Sequence, residues 1–235
     1  MLIAIDIGNT NISCGIFRKN KLKRRMSFKS ITRNMIKDAE RIICVSVSPK
    51  RLKEVRKRLN GHSKKLLIIG KDICVPLKSK YNSRQIGQDR LVTAFAASFF
   101  YGNPVLTIDF GTAATFDVLS KDSVYVGGLI LPGIKMSLEG LKKNTAMLPE
   151  VELKKIHGFI GTNTEDSIRN GIIYGYVSIC EGLIKRFKKI FPGLKIVATG
   201  GNAKLIKMYT NSIPFVDDDL SLKGLNLLSS MASSF

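Results

Sequence analysis

The sequence is poor in the residues that build metal and disulfide sites. It has two histidines, His62 and His157, and four cysteines, Cys14, Cys44, Cys74 and Cys180. The cysteines lie far apart and form no Cys-x-x-Cys pair, the spacing used by many zinc and redox sites. The sequence therefore predicts neither a structural zinc site nor a disulfide framework.

Long apolar runs are also missing. The longest uncharged stretch, Leu91 to Ile108, is broken by Gly102, Asn103 and Pro104, and its mostly apolar part, Leu91 to Tyr101, is far shorter than the roughly 20 residues that cross a bilayer. Asp6 interrupts the first apolar run, and the first residues lack the charge and cleavage pattern of a secretory signal. We therefore expect a cytoplasmic protein with no membrane partner. A hydrophobic content of 44% and a charged content of 24% over 235 residues predict a folded chain of one large or two small domains.

Acidic residues are scarce, and the imbalance is local. The chain has 38 Lys and Arg against 18 Asp and Glu, and residues 18–84 hold 22 of the basic but only 4 of the acidic residues. Such a region attracts polyanions. No aromatic residues interleave with its basic runs to provide a base-stacking platform. The sequence alone favours a solvated surface, and nucleic acid is not the expected partner.

The order of predicted elements is that of an α/β protein. Apolar runs at residues 2–5, 12–17 and 22–28 predict an antiparallel meander. Short buried strands then alternate with helical spacing, including a basic helix over residues 49–59 and a helix that begins near Asp89. In the second half, strands are predicted at residues 124–131 and 195–199. A long helix is predicted from Thr164 to Ile190.

One local pattern occurs twice. An apolar run followed by Asp-x-Gly and Thr appears at Asp6 and again at Asp109, Gly111 and Thr112. This approximate repeat predicts two similar halves, which we place at residues 1–102 and 103–235. A carboxylate at a strand end, followed by glycine and hydroxyl or amide donors, suits phosphate binding through a metal ion. The same pattern also forms ordinary turns, so each copy alone is weak evidence for a phosphate site.

A third motif, VATGGNAKLI from Val197, predicts a strand, two glycines and a helix start. Together the three elements resemble the superfamily of acetate kinase, sugar kinases, Hsp70 and actin. Seven collinear motifs resemble the type III pantothenate kinases more specifically: IDIGNTN from Ile5, GQDR from Gly87, IDFGTAATFD from Ile108, GGLILPG from Gly127, NTAMLPEVEL from Asn144, GTNTEDSIRNG from Gly161 and ATGGNA from Ala198.

This resemblance implies an α/β fold of two ribonuclease H-like domains with mixed sheets flanked by helices, and an active-site cleft between them. It implies ATP-dependent phosphorylation of pantothenate to 4′-phosphopantothenate, the first step of coenzyme A biosynthesis, with Asp89 as the general base. The ATP-binding residues would be Thr112 and the segment Asp6, Ile7, Gly8, Asn9, Thr10, Asn11, Ile12 and Ser13. Asp6 would also hold Mg²⁺, and Asp109 would hold a monovalent cation, K⁺ or NH₄⁺. The basic region would then be a solvated surface that aids ATP capture.

The resemblance further implies a homodimer and a pantothenate pocket formed by Tyr81, Gly87, Gln88, Asp89, Arg90 and Thr164. Gln88 departs from the family pattern, because a smaller residue is usual at that place. Thr162 and Glu165 have the spacing of a helix capping box, so a structural role for the Thr164 segment is an alternative to a pocket role. Asp89 has a similar alternative, because an acidic residue stabilises a helix N-terminus.

Two other function classes fit some of these residues. A ribonuclease H-like nuclease would use Asp6, Asp89 and Asp109 to hold two divalent ions and would grip nucleic acid with the basic region. A non-catalytic accessory protein would have the same fold without turnover. The paired phosphate motifs and the Thr-Gly-Gly turn favour the kinase over the nuclease. The intact acidic residues favour an enzyme over an accessory factor.

Overall fold

The computed structural model describes residues 1–59, 61, 65–82, 85–156 and 158–232. The chain divides into two compact units. The first contains Met1–Phe100 together with Asp219–Phe235, and the second contains Tyr101–Asp218. The observed division near residue 100 lies close to the expected boundary at 102. The last 17 residues differ from the expectation, because they belong to the first unit. Both histidines lie outside the described residues.

The first unit is built on a mixed sheet with the strand order β3-β2-β1-β4-β5. Its strands are β1 (Leu2–Ile7), β2 (Ile12–Arg18), β3 (Lys21–Ser27), β4 (Arg41–Ser46) and β5 (Leu66–Ile68), and β6 (Lys78–Ser79) follows in the chain. Its helices are a 3₁₀ turn (Phe28–Ser30), α1 (Arg33–Asp38), α2 (Pro49–Arg58), α3 (Gln88–Tyr101) and α7 (Leu220–Met231). The predicted meander is confirmed, because β1 pairs antiparallel with β2 and β2 with β3.

Alternation along β1 sends its side chains to two different cores. Ile3, Ile5 and Ile7 pack in a cluster with residues of α1 and α2. Ala4, on the opposite face, belongs to a cluster with Val92 of α3 and with leucines of α7. This second cluster explains why the C-terminal helix joins the first unit: its apolar stripe, Leu222, Leu225 and Leu228, is buried against that sheet.

The second unit repeats the arrangement on another mixed sheet. Its strands are β7 (Val105–Phe110), β8 (Ala113–Leu119), β9 (Val124–Pro132), β10 (Lys195–Thr199) and β11 (Phe215–Val216), in the order β11-β10-β7-β8-β9. Its helices are α4 (Ile134–Lys143), α5 (Thr164–Ile190) and α6 (Ala203–Lys207). The predicted long helix at Thr164–Ile190 is confirmed. Residues of β7, β8, α5 and β10 form its main core.

The predicted repeat is confirmed in the strand pairing. β1 and β7 each pair antiparallel with the next strand and parallel with a later one, β4 and β10 respectively. Asp6 and Asp109 take equivalent places, each as the next-to-last residue of its strand. The fold is therefore α/β, with two mixed sheets flanked by helices.

Candidate active site

Asp6 lies near the end of β1 on the face that α3 and α7 cover. Its register partners are Ser13 on β2 and Val45 on β4. The Ser221 hydroxyl in the first turn of α7 donates a hydrogen bond to Asp6 Oδ2 at 2.6 Å. The C-terminal helix therefore fixes the orientation of this carboxyl group.

Two carboxyl groups of the first unit, those of Asp6 and Asp89, interact electrostatically. Burial is the main cause that raises the pKa of Asp6 above its ordinary value of 3.8, and the negative charge of Asp89 raises this pKa further. The Ser221 hydrogen bond and the charge of Arg25 act in the opposite direction. Arg25 itself donates a hydrogen bond to Asp219 at 3.3 Å. A raised carboxyl pKa beside a second carboxylate is typical of sites that bind cations or move protons.

The turn between β1 and β2 carries most of the predicted phosphate-binding segment. The Gly8 N–H donates to the Asn11 carbonyl oxygen at 3.0 Å, which closes the turn. The side chains of Asn9, Thr10 and Asn11 are exposed. Of the other predicted ATP contacts here, Ile7 is fully buried in the core, whereas Ile12 and Ser13 are half-buried. Ile7 can therefore contribute only backbone atoms to a ligand.

Asp89 lies in the first turn of α3. Its Oδ1 accepts a hydrogen bond from the Arg90 backbone N–H at 2.9 Å. A Cβ at position 87 would lie 2.6 Å from that same Oδ1, so Gly87 leaves the space that this carboxyl conformation needs. The Gln88 side chain lies against Gly70, because a Cβ built at Gly70 would be 2.8 Å from the Gln88 Cγ and Cδ. The larger side chain is thus accommodated against the Gly70 turn.

In the second unit, two glycines allow three segments to pack closely around Asp109. Gly200 follows β10 with a φ of +91°, and a Cβ there would lie 2.4 Å from Asp109 Oδ1. Gly133 caps α4, and a Cβ there would lie 2.1 Å from the Thr112 carbonyl oxygen. These glycines let the Asp109–Thr112 loop, the start of α4 and the end of β10 approach closely. Oxygen atoms in such a cluster suit a hard cation.

The remaining predicted pocket residues lie on exposed segments. Thr164 is the first residue of α5 and lines an open depression of about 650 Å³ together with Met147, Pro149, Asn163, Glu165 and Asp166. Tyr81, which is 39% exposed, follows β6, and its backbone N–H donates to Ser79 Oγ at 3.0 Å. Within the first unit, the charge of Asp89 acts on the carboxyl group of Asp6. Thr164 belongs to the second.

The predicted capping box is wrong by one residue. Asn163, not Thr162, is the N-cap of α5, and its Oδ1 accepts a hydrogen bond from the Asp166 N–H at 2.9 Å. Asn163 Nδ2 also donates to Asp166 Oδ2 at 2.8 Å, so the Asn163 side chain bonds both the backbone and the side chain of Asp166. Asn is at least as favourable as Thr at an N-cap, so the sequence allows both the Thr162–Glu165 and the Asn163–Asp166 pair, and the register of α5 decides between them.

Sequence reasoning missed Ser221 as a site residue. It is separated from Asp6 by 215 positions and lies in a helix with no motif of its own. The only available signal was the amphipathic pattern of α7, which indicates burial but does not name the sheet that it covers.

Across the described residues, no three or more His, Cys, Asp or Glu side chains cluster as a metal site. A carboxylate that acts with phosphate oxygens of a ligand does not need such a cluster, because Mg²⁺ commonly uses one or two carboxylates together with substrate phosphates. Within the same described ranges, none of the helices is both long and apolar enough to span a bilayer.

Solved structures with low sequence identity show the same fold. One is a Campylobacter jejuni protein assigned to the Baf family of transcriptional activators, with 21% identity, a TM-score of 0.61 and coverage of 99% of this chain and 100% of that one. Another is a Sinorhizobium meliloti protein assigned as a 2-dehydro-3-deoxygalactonokinase, with 10% identity, a TM-score of 0.57 and full coverage of both chains. The Clostridium difficile activator of 2-hydroxyisocaproyl-CoA dehydratase, solved with bound ADPNP, has 14% identity, a TM-score of 0.51 and coverage of 99% and 96%.

The family comparison is more specific than these likenesses in fold. The sequence model of type III pantothenate kinase matches residues 2–186, a range that contains six of the seven motifs and ends near the C-terminus of α5. The seventh motif, ATGGNA from Ala198, lies beyond the matched residues. The chain therefore belongs to the type III pantothenate kinase family, whose members are kinases that phosphorylate pantothenate.

Proposed function

We propose that this protein transfers the γ-phosphate of ATP to the primary hydroxyl of pantothenate, and that Asp89 removes the hydroxyl proton. The observation that carries the mechanism is the electrostatic interaction between Asp89 and Asp6, in which Asp89 has a carboxyl group held by the Arg90 N–H. Asp89 would then accept the proton of the acceptor hydroxyl, while Asp6 would act at the ATP phosphates. The family match supports pantothenate as the acceptor.

Asp89 is suited to act as the base because its conformation is fixed. The Arg90 N–H holds Oδ1, and the missing side chain at Gly87 leaves room for that arrangement. In an in-line transfer the acceptor oxygen attacks the γ-phosphorus, its proton passes to Asp89, and ADP leaves from the opposite side. Proton removal by a positioned carboxylate contributes about 10²- to 10⁴-fold to such a rate.

Asp6 and the Gly8–Asn11 turn would hold the ATP phosphates. Exposed Asn9, Thr10 and Asn11 supply amide and hydroxyl donors, and the backbone closes into a tight turn at Gly8. The half-buried Asp6 carboxylate has the donor chemistry that Mg²⁺ prefers, so it fits the role of cation ligand. Bound Mg²⁺ would neutralise charge on the phosphate oxygens.

In the second unit, Thr112 would contact ATP and Asp109 would hold K⁺ or NH₄⁺. The close approach of Gly200 and Gly133 concentrates carboxylate and carbonyl oxygens at this loop, which supports a cation site there. The pantothenate pocket would use Tyr81, Gly87 to Arg90 and Thr164. We further propose a homodimeric, cytoplasmic enzyme, as the family resemblance implies.

A coupled ADP-release assay tests the proposed reaction. Purified protein should turn over ATP rapidly only when pantothenate is present, and K⁺ or NH₄⁺ should increase the rate relative to Na⁺. Mass spectrometry should identify 4′-phosphopantothenate as the product. Turnover that pantothenate does not accelerate would refute the function, and this result is also what a non-catalytic accessory protein would give.

The role of Asp89 is tested by Asp89→Asn, which keeps the size of the side chain but removes its proton affinity. We expect turnover to fall by about 10²- to 10⁴-fold with little change in ATP binding. Asp109→Asn is the matched control, because loss of a cation ligand should alter the monovalent-cation dependence and weaken ATP use. If Asp89→Asn retains turnover while its melting temperature drops, Asp89 stabilises the α3 N-terminus and is not the base.

A further inference from the structure

The sheet of the first unit separates two layers of helices with different chemistry. Asp6 and Ala4 face the layer of α3 and α7, which carries the proposed catalytic groups. Ile3, Ile5 and Ile7 face the layer formed by the 3₁₀ turn, α1 and α2. Anything that binds on the outer surface of the second layer is therefore on the opposite side of the sheet from Asp6.

That second layer is covered by cations. We define the basic face as its exposed basic residues: Lys29, Arg33, Lys37, Lys50, Lys53, Arg56, Lys57 and Arg58. The same three segments expose only two acidic residues, Asp38 and Glu54. The excess charge noted in the sequence is thus concentrated, in part, on one side of one sheet.

The helix α2 shows how the sequence produces this surface. Leu52, Val55 and Leu59 recur at helical spacing and pack into the core. Lys50, Lys53 and Lys57 have the same spacing but are rotated to the opposite side of the helix, where they are exposed. At 1.5 Å of rise per residue, these lysines span about 10 Å along the axis.

The basic face is held together by a defined set of contacts. The Arg58 guanidinium donates to the carbonyl oxygens of Lys29 and Ile31 at 2.8 and 2.9 Å and lies 5.2 Å from the centre of the Phe28 ring. These contacts tie the end of α2 to the 3₁₀ turn. The cations are therefore displayed by a packed layer and not by a flexible tail.

The cations of the basic face are not neutralised internally. Over the ranges that the structure describes, none of the eight forms an ion pair with a carboxylate. Large apolar side chains are also absent from this surface: among described residues, Tyr81 is the first large hydrophobic residue in the chain to be exposed. A membrane-binding helix needs apolar side chains to insert, and a protein interface needs apolar or aromatic anchors.

We propose that the basic face binds the phosphate backbone of double-stranded nucleic acid without sequence specificity. The sequence, together with the family resemblance, favoured a solvated surface that aids ATP capture. The location of the face behind the sheet argues against the ATP role. The basic face has many cations without carboxylate partners and no exposed large apolar or aromatic side chain. These properties favour a ligand with a regular array of phosphates, because phosphate contacts need neither insertion of apolar side chains nor stacking of bases on aromatic rings.

Fluorescence anisotropy with a labelled DNA duplex of mixed sequence tests this proposal on the full chain. The variant is Lys50→Gln, Lys53→Gln and Lys57→Gln combined. The matched control is Lys185→Gln, Lys188→Gln and Lys189→Gln, which removes the same charge from exposed positions of α5 in the other unit. Each protein is titrated over a range of salt concentrations, and its circular dichroism and pantothenate kinase activity are measured.

We expect wild-type affinity to fall steeply with salt. The α2 variant should bind at least about 10-fold more weakly at low salt, and its slope of log K against log salt should be shallower by about 2 to 3, because each phosphate contact contributes about 0.9. The α5 control should keep the wild-type slope, and both variants should keep their fold and kinase activity. Equal losses in the two variants would show a bulk charge effect and overturn the proposal. Binding to anionic phosphatidylglycerol vesicles without binding to duplex would also overturn it.

Discussion

Gly200→Ala is predicted to disrupt the second unit at the point where β10 approaches Asp109. The glycine has a φ of +91°, which an L-residue adopts at a cost of about 1–2 kcal/mol. The new Cβ would also lie 2.7 Å from the backbone N and C of Phe110. Because backbone atoms cannot rotate away as a side chain can, the end of β7 must shift, at a cost of about 1–3 kcal/mol.

The two costs together give a destabilisation of about 2–5 kcal/mol for Gly200→Ala. In a chain of this size each kcal/mol lowers the melting temperature by about 2–4 °C, so a decrease of roughly 4–20 °C is expected by differential scanning calorimetry. Kinase activity should fall as well, since the Cβ would lie 2.4 Å from Asp109 Oδ1 and would displace that carboxylate.

The neighbouring glycine provides a matched control. A Cβ at Gly201 would have no neighbour within 4 Å, and the backbone there is not in the left-handed region. Gly201→Ala should therefore be neutral or stabilise the protein by about 0.4–1 kcal/mol through the unfolded state. If the two alanine variants have equal melting temperatures and equal activities, the close approach of Gly200 to β7 does not exist and the reasoning fails.

The remaining predictions concern the first unit and the thiols. Ser221→Ala should raise the apparent KM for Mg·ATP by about 10- to 150-fold, because a hydrogen bond to a charged group contributes about 1.5–3 kcal/mol. Ser230→Ala in the same helix should change this KM less than about twofold, and Ser221→Thr should restore the wild-type value. Because the pKa of Asp6 in the folded protein lies above 3.8, the charged carboxylate destabilises the native state at neutral pH. Asp6→Asn should therefore abolish activity but raise the melting temperature at neutral pH. This gain in melting temperature should disappear as the pH falls toward 3.8. Iodoacetamide should label only Cys74 in the native protein, since the other three cysteines are buried and burial raises their pKa to about 12. Intact-mass spectrometry that shows two or more adducts before unfolding would contradict this prediction.

Much of the fold was predictable because its signals are local. Alternating apolar residues and turn formers set β1, β2, β7 and β8, and helical spacing set α5 from Thr164 to Ile190. The repeat of Asp-x-Gly at Asp6 and Asp109 predicted two similar halves, and the strand pairing confirms it. The collinear motifs were sufficient to identify the family, because each motif is contained within one short segment.

Other features depend on contacts between distant segments, so only the tertiary structure decided them. The sequence allows α7 to cover either sheet. In the structure the leucines of α7 pack against β1 and β4, so residues 219–235 belong to the first unit. The same packing places Ser221 beside Asp6. The basic residues were visible as a composition, but their position behind the sheet follows from the face that α2 buries. Periodicity specifies that a helix has an apolar side, whereas the surface that this side covers is selected by packing, which minimises exposed apolar area over the whole chain.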